Sequence, residues 1–211
     1  MRHSVPSTPA GPVAVVSCHV ERPLDDDAWR RFDALQRRRP GGFDVIALIR
    51  PPDATHAEDE ERWLERARAA AGRAPLGLHT HWTSPSHARP TGGDPAALVR
   101  EQAAWMRGHD LAPAFFCGGG WYTDDAVRAT VSELGLADCT PRGGVPSPGM
   151  LPTTHSLGAL ARAVLRPLPD YVHTYCHDYD LLDPKRRLAL VASLVALAAR
   201  RSPGDPLALA R

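Results

Sequence analysis

The sequence VAVVSCHV at residues 13–20 is apolar and rich in β-branched residues, which predicts a strand buried on both faces. Working outward from it, similar segments predict five further strands, at residues 43–49, 76–82, 112–117, 136–140 and 171–176. Amphipathic segments between them predict helices at 29–38, 58–71, 94–108, 123–134, 156–165 and 184–201. This alternation is typical of βα units around a parallel sheet. The sequence therefore predicts an α/β fold, either an open doubly wound sheet or a distorted, incomplete (β/α) barrel.

The length and composition fit one globular domain. The chain has 211 residues, of which 43% are hydrophobic and 23% charged. No linker or internal repeat interrupts the pattern. We expect a disordered N-terminal segment at 1–12, one domain at 13–201 and a frayed tail at 202–211.

Several classes of partner and compartment are disfavoured. The net charge of +1 does not favour nucleic acid, and no apolar run approaches the roughly 20 residues that a membrane span needs. The N-terminus lacks the apolar core of a signal peptide, and the four cysteines form no CxxC pair. We expect a cytoplasmic protein with reduced cysteines that acts on a small-molecule substrate. An oligomer stays open, since a partner subunit could cover part of the site.

Histidines fall at the ends of predicted strands. His79 and His81, in LGLHTHW, project to the same side of an extended strand and can share one ion. Imidazole suits zinc and its transition-metal neighbours. The alternative is a hydrogen-bonded pair without metal.

Two further strand ends carry polar groups. His19 ends the first strand, with Glu21 on the same face; Glu21 can act as base or ligand, or pair with an arginine. His177 and Asp178 end the last strand, in HTYCHDYD, where a barrel enzyme presents catalytic groups. His177 is a candidate acid or base, although a turn histidine followed by helix-capping aspartates, Asp178 and Asp180, explains the same pattern.

The segment FFCGGGWYTDD predicts a ligand-facing loop. Gly119 lets the backbone approach a ligand, and Trp121 and Tyr122 can form a stacking wall for a sugar ring or simply pack in the core. His87, after the third strand, and His155 are further candidates for substrate binding. The chain lacks GxGxxG, the GxxxxGKS/T phosphate loop and the GxSxG elbow, which argues against dinucleotide, nucleotide and serine-hydrolase sites.

Four motifs in this order, VVSCHVERP, LGLHTHWTSP, AFFCGGGWY and TYCHD, resemble the polysaccharide deacetylase (NodB-homology) family from about residue 13 to 200. The resemblance implies a distorted (β/α) barrel, a divalent metal held by an Asp and two His, an Asp base and a His acid, and removal of acetyl groups from N-acetylated sugars. On this alignment His79 and His177 match residue for residue. The paired aspartates are replaced by Cys18 and His19, the second metal histidine by Thr83, and an arginine by Phe116 or Cys117.

Together these features predict a metal-dependent deacetylase or amidohydrolase. We expect His19, His79 and His81 to bind a divalent metal, with zinc the expected ion and one position left open for water. His177 would protonate the leaving amine, and Glu21 or Asp178 would act as base. Two alternatives stay open: an inert carbohydrate- or small-molecule-binding protein using the same pocket, and a lyase or isomerase using histidine acid–base pairs.

Overall fold

The computed structural model describes residues 11–211, apart from the side chain of Ala54. The predicted disordered segment therefore lies almost entirely outside the described residues. The strands are β1 (Val13–Val20), β2 (Val45–Ile49), β3 (Leu76–Thr80), β4 (Phe115–Gly118), β5 (Ala137–Asp138), β6 (His155–Ser156), β7 (Tyr171–His177) and β8 (Ser202–Pro203). The α-helices are α1 (Asp26–Arg38), α2 (Glu60–Ala71), α3 (Pro95–Gly108), α4 (Asp125–Glu133), α5 (Leu157–Ala163), α6 (Pro184–Ala198) and α7 (Pro206–Leu209).

The strands form one parallel sheet in the order β5-β4-β3-β2-β1-β7-β6, with β8 paired to the start of β1. The sheet is curled into a distorted (β/α) barrel, which confirms the predicted fold class. The irregular segment 149–154 lies between β5 and β7. Leu151 N donates to Asp138 O beside β5, and Thr154 N donates to His173 O on β7.

The alternation along β1 explains how one strand serves two cores. Ala14, Val16, Cys18 and Val20 point outward into the apolar layer beneath the helices. Val13 and Val15 point inward and pack with residues such as Leu48 and Phe115. Farther along the same inward face come Ser17, His19 and then Glu21. The barrel interior therefore changes from apolar to polar toward the carboxyl ends of the strands, where parallel α/β folds place their ligands.

The helices begin where the sequence offers side-chain acceptors. Asp25, Asp59, Asp94, Asp124 and Asp183 each accept hydrogen bonds from backbone N–H groups of the first helical turn that follows. No helix among the described residues is long and apolar enough to cross a membrane.

The C-terminal residues differ from the predicted frayed tail. Ser202–Pro203 pairs with β1, and Gly204 N donates to Ala14 O. α7 follows, with Asp205 as its N-cap. The short segment lacks the periodicity that predicts an element, and its order comes from this pairing with the buried β1.

Candidate metal centre

Four side chains converge at the carboxyl ends of β1, β3 and β7. Glu21 follows β1 directly, and its Oε1 is the centre of the group. Nε2 lies 3.5 Å from it in His79, 3.7 Å in His81 and 3.6 Å in His177. The structure thus brings together residues that sequence reasoning placed at three separate strand ends.

The hydrogen bonds on the far side of two rings orient them. Nδ1 of His79 donates to Cys117 O, and Nδ1 of His81 donates to Pro85 O, both at 2.9 Å. Because a carbonyl oxygen only accepts, the hydrogen of each neutral ring sits on Nδ1, and Nε2 presents a lone pair. Both Nε2 atoms are buried and have no hydrogen-bond partner. This is the arrangement in which metal-binding histidines are held.

Electrostatics at the centre call for a cation. Burial would raise the pKa of Glu21, but the close approach of the His79 and His81 rings outweighs it and holds that pKa well below its ordinary value. Burial lowers the pKa of His79, which favours its neutral form. The ionised carboxylate of Glu21 therefore faces the Nε2 lone pairs of His79 and His81. Because all three groups are acceptors, a proton or a metal ion between them is needed to stabilise their approach. Carboxylate and imidazole donors fit a divalent ion.

The sequence predicted that His19 and His81 bind the same metal ion. In the structure, His19 lies deeper in the barrel than His81. Its ring stacks on Tyr175 at 5.1 Å and lies 4.6 Å from the ring of His79. In the part of the chain that the structure describes, His19 and His81 do not occur together in any group of ligand atoms within 4.8 Å of one another, whereas Glu21, His79 and His81 form such a group. The reason is that Glu21 follows His19 by two residues on the same face of β1 and so lies nearer the mouth.

His177 is supported by an aspartate that the sequence pattern assigned to capping. Nδ1 of His177 lies 3.4 Å from Oδ2 of Asp180, and Arg186 Nη1 donates to Oδ1 of Asp180 at 2.6 Å. Burial would raise the pKa of Asp180, but hydrogen bonds from His177 and Arg186 lower it. Asp180 also accepts from the backbone N of His177, so it caps the turn and orients the ring. The only sequence signal for this contact was that Asp180 follows His177 by three residues. Tyr179, also not predicted, stacks on His177 at 4.7 Å.

Asp178 does not match the predicted role of base. Its side chain is fully buried, and its two oxygens accept hydrogen bonds from Arg22 N at 2.7 Å and Tyr179 N at 2.8 Å. Burial raises its pKa to about 6. These bonds join the ends of β1 and β7, which is a structural role that a sequence pattern alone does not distinguish from a catalytic one.

A buried arginine that sequence reasoning missed holds the backbone at Glu21. Arg50 Nε donates to Glu21 O at 3.1 Å, and its guanidinium makes two hydrogen bonds to Glu58, at 2.8 and 2.7 Å. Arg50 is only 3% exposed. Paired charges at this depth fix the end of β2 against the end of β1.

Of the predicted substrate-binding residues, Trp121 lies beside His19 and so next to the cluster formed by Glu21, His79, His81 and His177. Its ring is 5.4 Å from that of His19 and 4.8 Å from that of Tyr175. The guanidinium of Arg142 lies over the Trp121 ring, 5.2 Å from its centroid. Its φ of 60° is uncommon for a residue other than glycine. Backbone strain of this kind is retained where surrounding contacts enforce it.

The other candidates in the glycine-rich segment serve packing. Tyr122 donates from its hydroxyl to Asp124 at 2.6 Å and packs on Trp82 at 5.3 Å. A Cβ on Gly119 would lie 2.5 Å from Thr80 O, so this glycine is required for close approach of two backbones. The predicted roles of Tyr122 and Gly119 in ligand binding therefore gain no support from their contacts.

The contacts of His87 and His155 are with residues outside the cluster. His87 is exposed on the loop after β3, where it pairs with Ser84. His155 is half-buried on β6, and its Nδ1 hydrogen-bonds to Thr154 Oγ1 at 2.8 Å. Their predicted roles stay predictions.

A cleft of about 410 Å³ leads to the cluster. Glu21 and His81 line this cleft together with Arg22, Ala88 and Tyr179. A small molecule therefore has a route from solvent to the carboxylate.

Comparison with known proteins identifies the fold and not the family. No family model matches the chain, and no curated protein matches it in sequence. Among solved structures, a family 4 carbohydrate esterase from Streptomyces lividans, in complex with acetate, matches with a TM-score of 0.56 over 90% of each chain, at 16% identity. At this identity the likeness shows a shared fold.

Proposed function

We propose that this protein is a metal-dependent hydrolase that removes an acyl group from an N-acylated small molecule, such as an N-acetylated amino sugar. The observation that carries the proposal is the approach of three histidine Nε2 atoms to one carboxylate oxygen at 3.5–3.7 Å. The shared fold with a carbohydrate esterase supports the same class of reaction.

In this proposal Glu21, His79 and His81 hold a divalent ion, with zinc as the expected metal. Glu21 takes the place in the ligand set that sequence reasoning assigned to His19. The two unpartnered Nε2 atoms and the ionised carboxylate are the donors. When bound, the ion supplies a Lewis acid for the scissile carbonyl and lowers the pKa of water to near 7.

His177 is the proposed acid for the leaving amine. Each of its ring nitrogens faces a carboxylate, Nε2 toward Glu21 and Nδ1 toward Asp180, so a proton on either nitrogen has a partner. Asp180, held by Arg186, is a positioning residue that fixes the ring. Asp178 is not proposed as the base, since both of its oxygens are engaged by backbone N–H groups.

Metal content is the first test. We expect about one zinc or neighbouring ion per purified wild-type chain, and loss of it in Glu21→Gln and in the double variant His79→Ala/His81→Ala. His56→Ala, at an exposed histidine outside the converging side chains, is the matched control and should keep the metal. Acetate release from a panel of N-acetylated amino sugars should follow metal content across the four proteins.

Two outcomes would contradict the proposal. Wild-type turnover that survives complete chelation would exclude a role for the ion. Ligand binding without turnover, unchanged by chelation, would favour an inert binding protein instead.

A further inference from the structure

We propose that the cluster offers its cation a second, deeper set of ligands, His19, His79 and the thiolate of Cys117, which thiophilic divalent ions such as zinc, cobalt or cadmium use. This inference rests on the proposed metal site and extends it, because it changes the ligands that a given ion selects. It concerns one ion and two ligand sets that share His79. A third group of ligand atoms within 4.8 Å of one another, His19, Glu21 and His177, lies between them.

The geometry begins with the strand register. Cys117 on β4 pairs with His79 on β3, and its side chain belongs to the apolar cluster inside the barrel. The ligand atoms of His19, His79 and Cys117 all lie within 4.8 Å of one another. Each of these residues is 2% exposed or less. These three residues form a buried group just below the carboxyl ends of the strands.

Two polar atoms in this group lack adequate partners. His19 Nε2 is buried and has no hydrogen-bond partner. The thiol of Cys117 reaches Gly118 O at 3.9 Å, and a thiol is a weak donor. A buried polar atom without a partner is destabilising, because it has lost its hydrogen bonds to water. A metal ion placed between the imidazole and the sulfur would satisfy both.

His79 belongs to both ligand sets. Its Nδ1 donates to Cys117 O, so one nitrogen is left for a cation. The two groups therefore compete for His79, and one ion is bound at a time. Soft thiolate favours zinc and similar ions, whereas carboxylate suits harder ones such as magnesium or manganese. On binding in the deeper position, the sulfur forms the bond to the metal and its proton leaves to solvent.

Cobalt provides the readout. The metal-free protein is loaded with Co²⁺, and the near-ultraviolet thiolate-to-cobalt charge-transfer band is recorded beside the cobalt content. We expect one Co²⁺ per chain with a band from one thiolate. Cys117→Ser should lose the band, while Cys139→Ser, a second buried cysteine of the same interior cluster, should keep it.

The outcomes separate this inference from the proposed function. Stoichiometric cobalt without the band in wild type, or a band that persists in Cys117→Ser, overturns the thiolate ligand and leaves the Glu21 site standing. Two ions per chain overturn the competition for His79. No bound cobalt overturns both proposals. Should Cys117→Ser fail to fold, X-ray absorption of the zinc-loaded wild type decides, since a Zn–S distance of about 2.3 Å is expected and its absence refutes the proposal.

Discussion

The buried His173 should make the stability of the metal-free protein depend on pH. It is 0% exposed; its Nδ1 donates to Leu151 O at 3.1 Å, and its Nε2 accepts from Ser17 Oγ at 2.9 Å. Both ring nitrogens are thus engaged in the neutral form, and a charged ring at this depth would be removed from solvent. Burial accordingly lowers the pKa of His173 to about 4.

The sign and size follow from linkage. In the unfolded chain the histidine has its ordinary pKa of 6.5, so as the pH falls below that value the unfolded state binds a proton that the folded state refuses. The stability is fully present above the unfolded pKa and is lost as the pH falls toward about 4. The difference between 6.5 and about 4 corresponds to about 3 kcal/mol.

The assay is urea unfolding of the chelated protein at several pH values from neutral to about 4. We expect His173→Gln to lose about 3 kcal/mol less than wild type over this range. Burial also lowers the pKa of His19 and His79, and both contribute in the same direction, but equally in the two proteins, so the difference isolates His173. His87→Gln, on the exposed loop, should follow the wild type. Parallel curves for His173→Gln and wild type would refute the buried, neutral histidine.

Three other outcomes are expected. Asp180→Asn should lower kcat for deacetylation about 10- to 100-fold and alter its pH profile without removing metal, because Asp180 orients His177; unchanged kinetics would contradict that role. Gly77→Ala should cost about 1–3 kcal/mol in urea unfolding, since a Cβ there would lie 2.5 Å from Leu48 Cδ2, whereas Gly108→Ala, with nothing within 4 Å, should not destabilise. Chelation should lower Tm, by the equivalent of about 2.7 kcal/mol for free metal at 100 times its Kd, and a Tm independent of metal would argue against a site in the folded barrel.

Most of the secondary structure follows from the sequence because its signals are local. β1 has the predicted bounds, α1 begins beside the predicted capping aspartates, and α3 ends at the predicted Gly108. Alternating apolar periods and capping residues act within one element, so one chain segment carries the whole signal. The pairing of the C-terminal β8 with β1 carries no such signal, and only the folded chain shows it.

The position of the site was also predictable, but its membership was not. In a parallel sheet all carboxyl ends lie at one edge, so histidines at the ends of β1, β3 and β7 were expected along the same edge. Which atoms meet depends on the strand register and on the curl of the barrel, because these decide how deep in the barrel each side chain lies. The sequence alone therefore determined a histidine-rich edge of a parallel α/β sheet. Tertiary packing decided that Glu21 is central, that His19 lies deeper beside Cys117, and that Asp178 is engaged by backbone N–H groups.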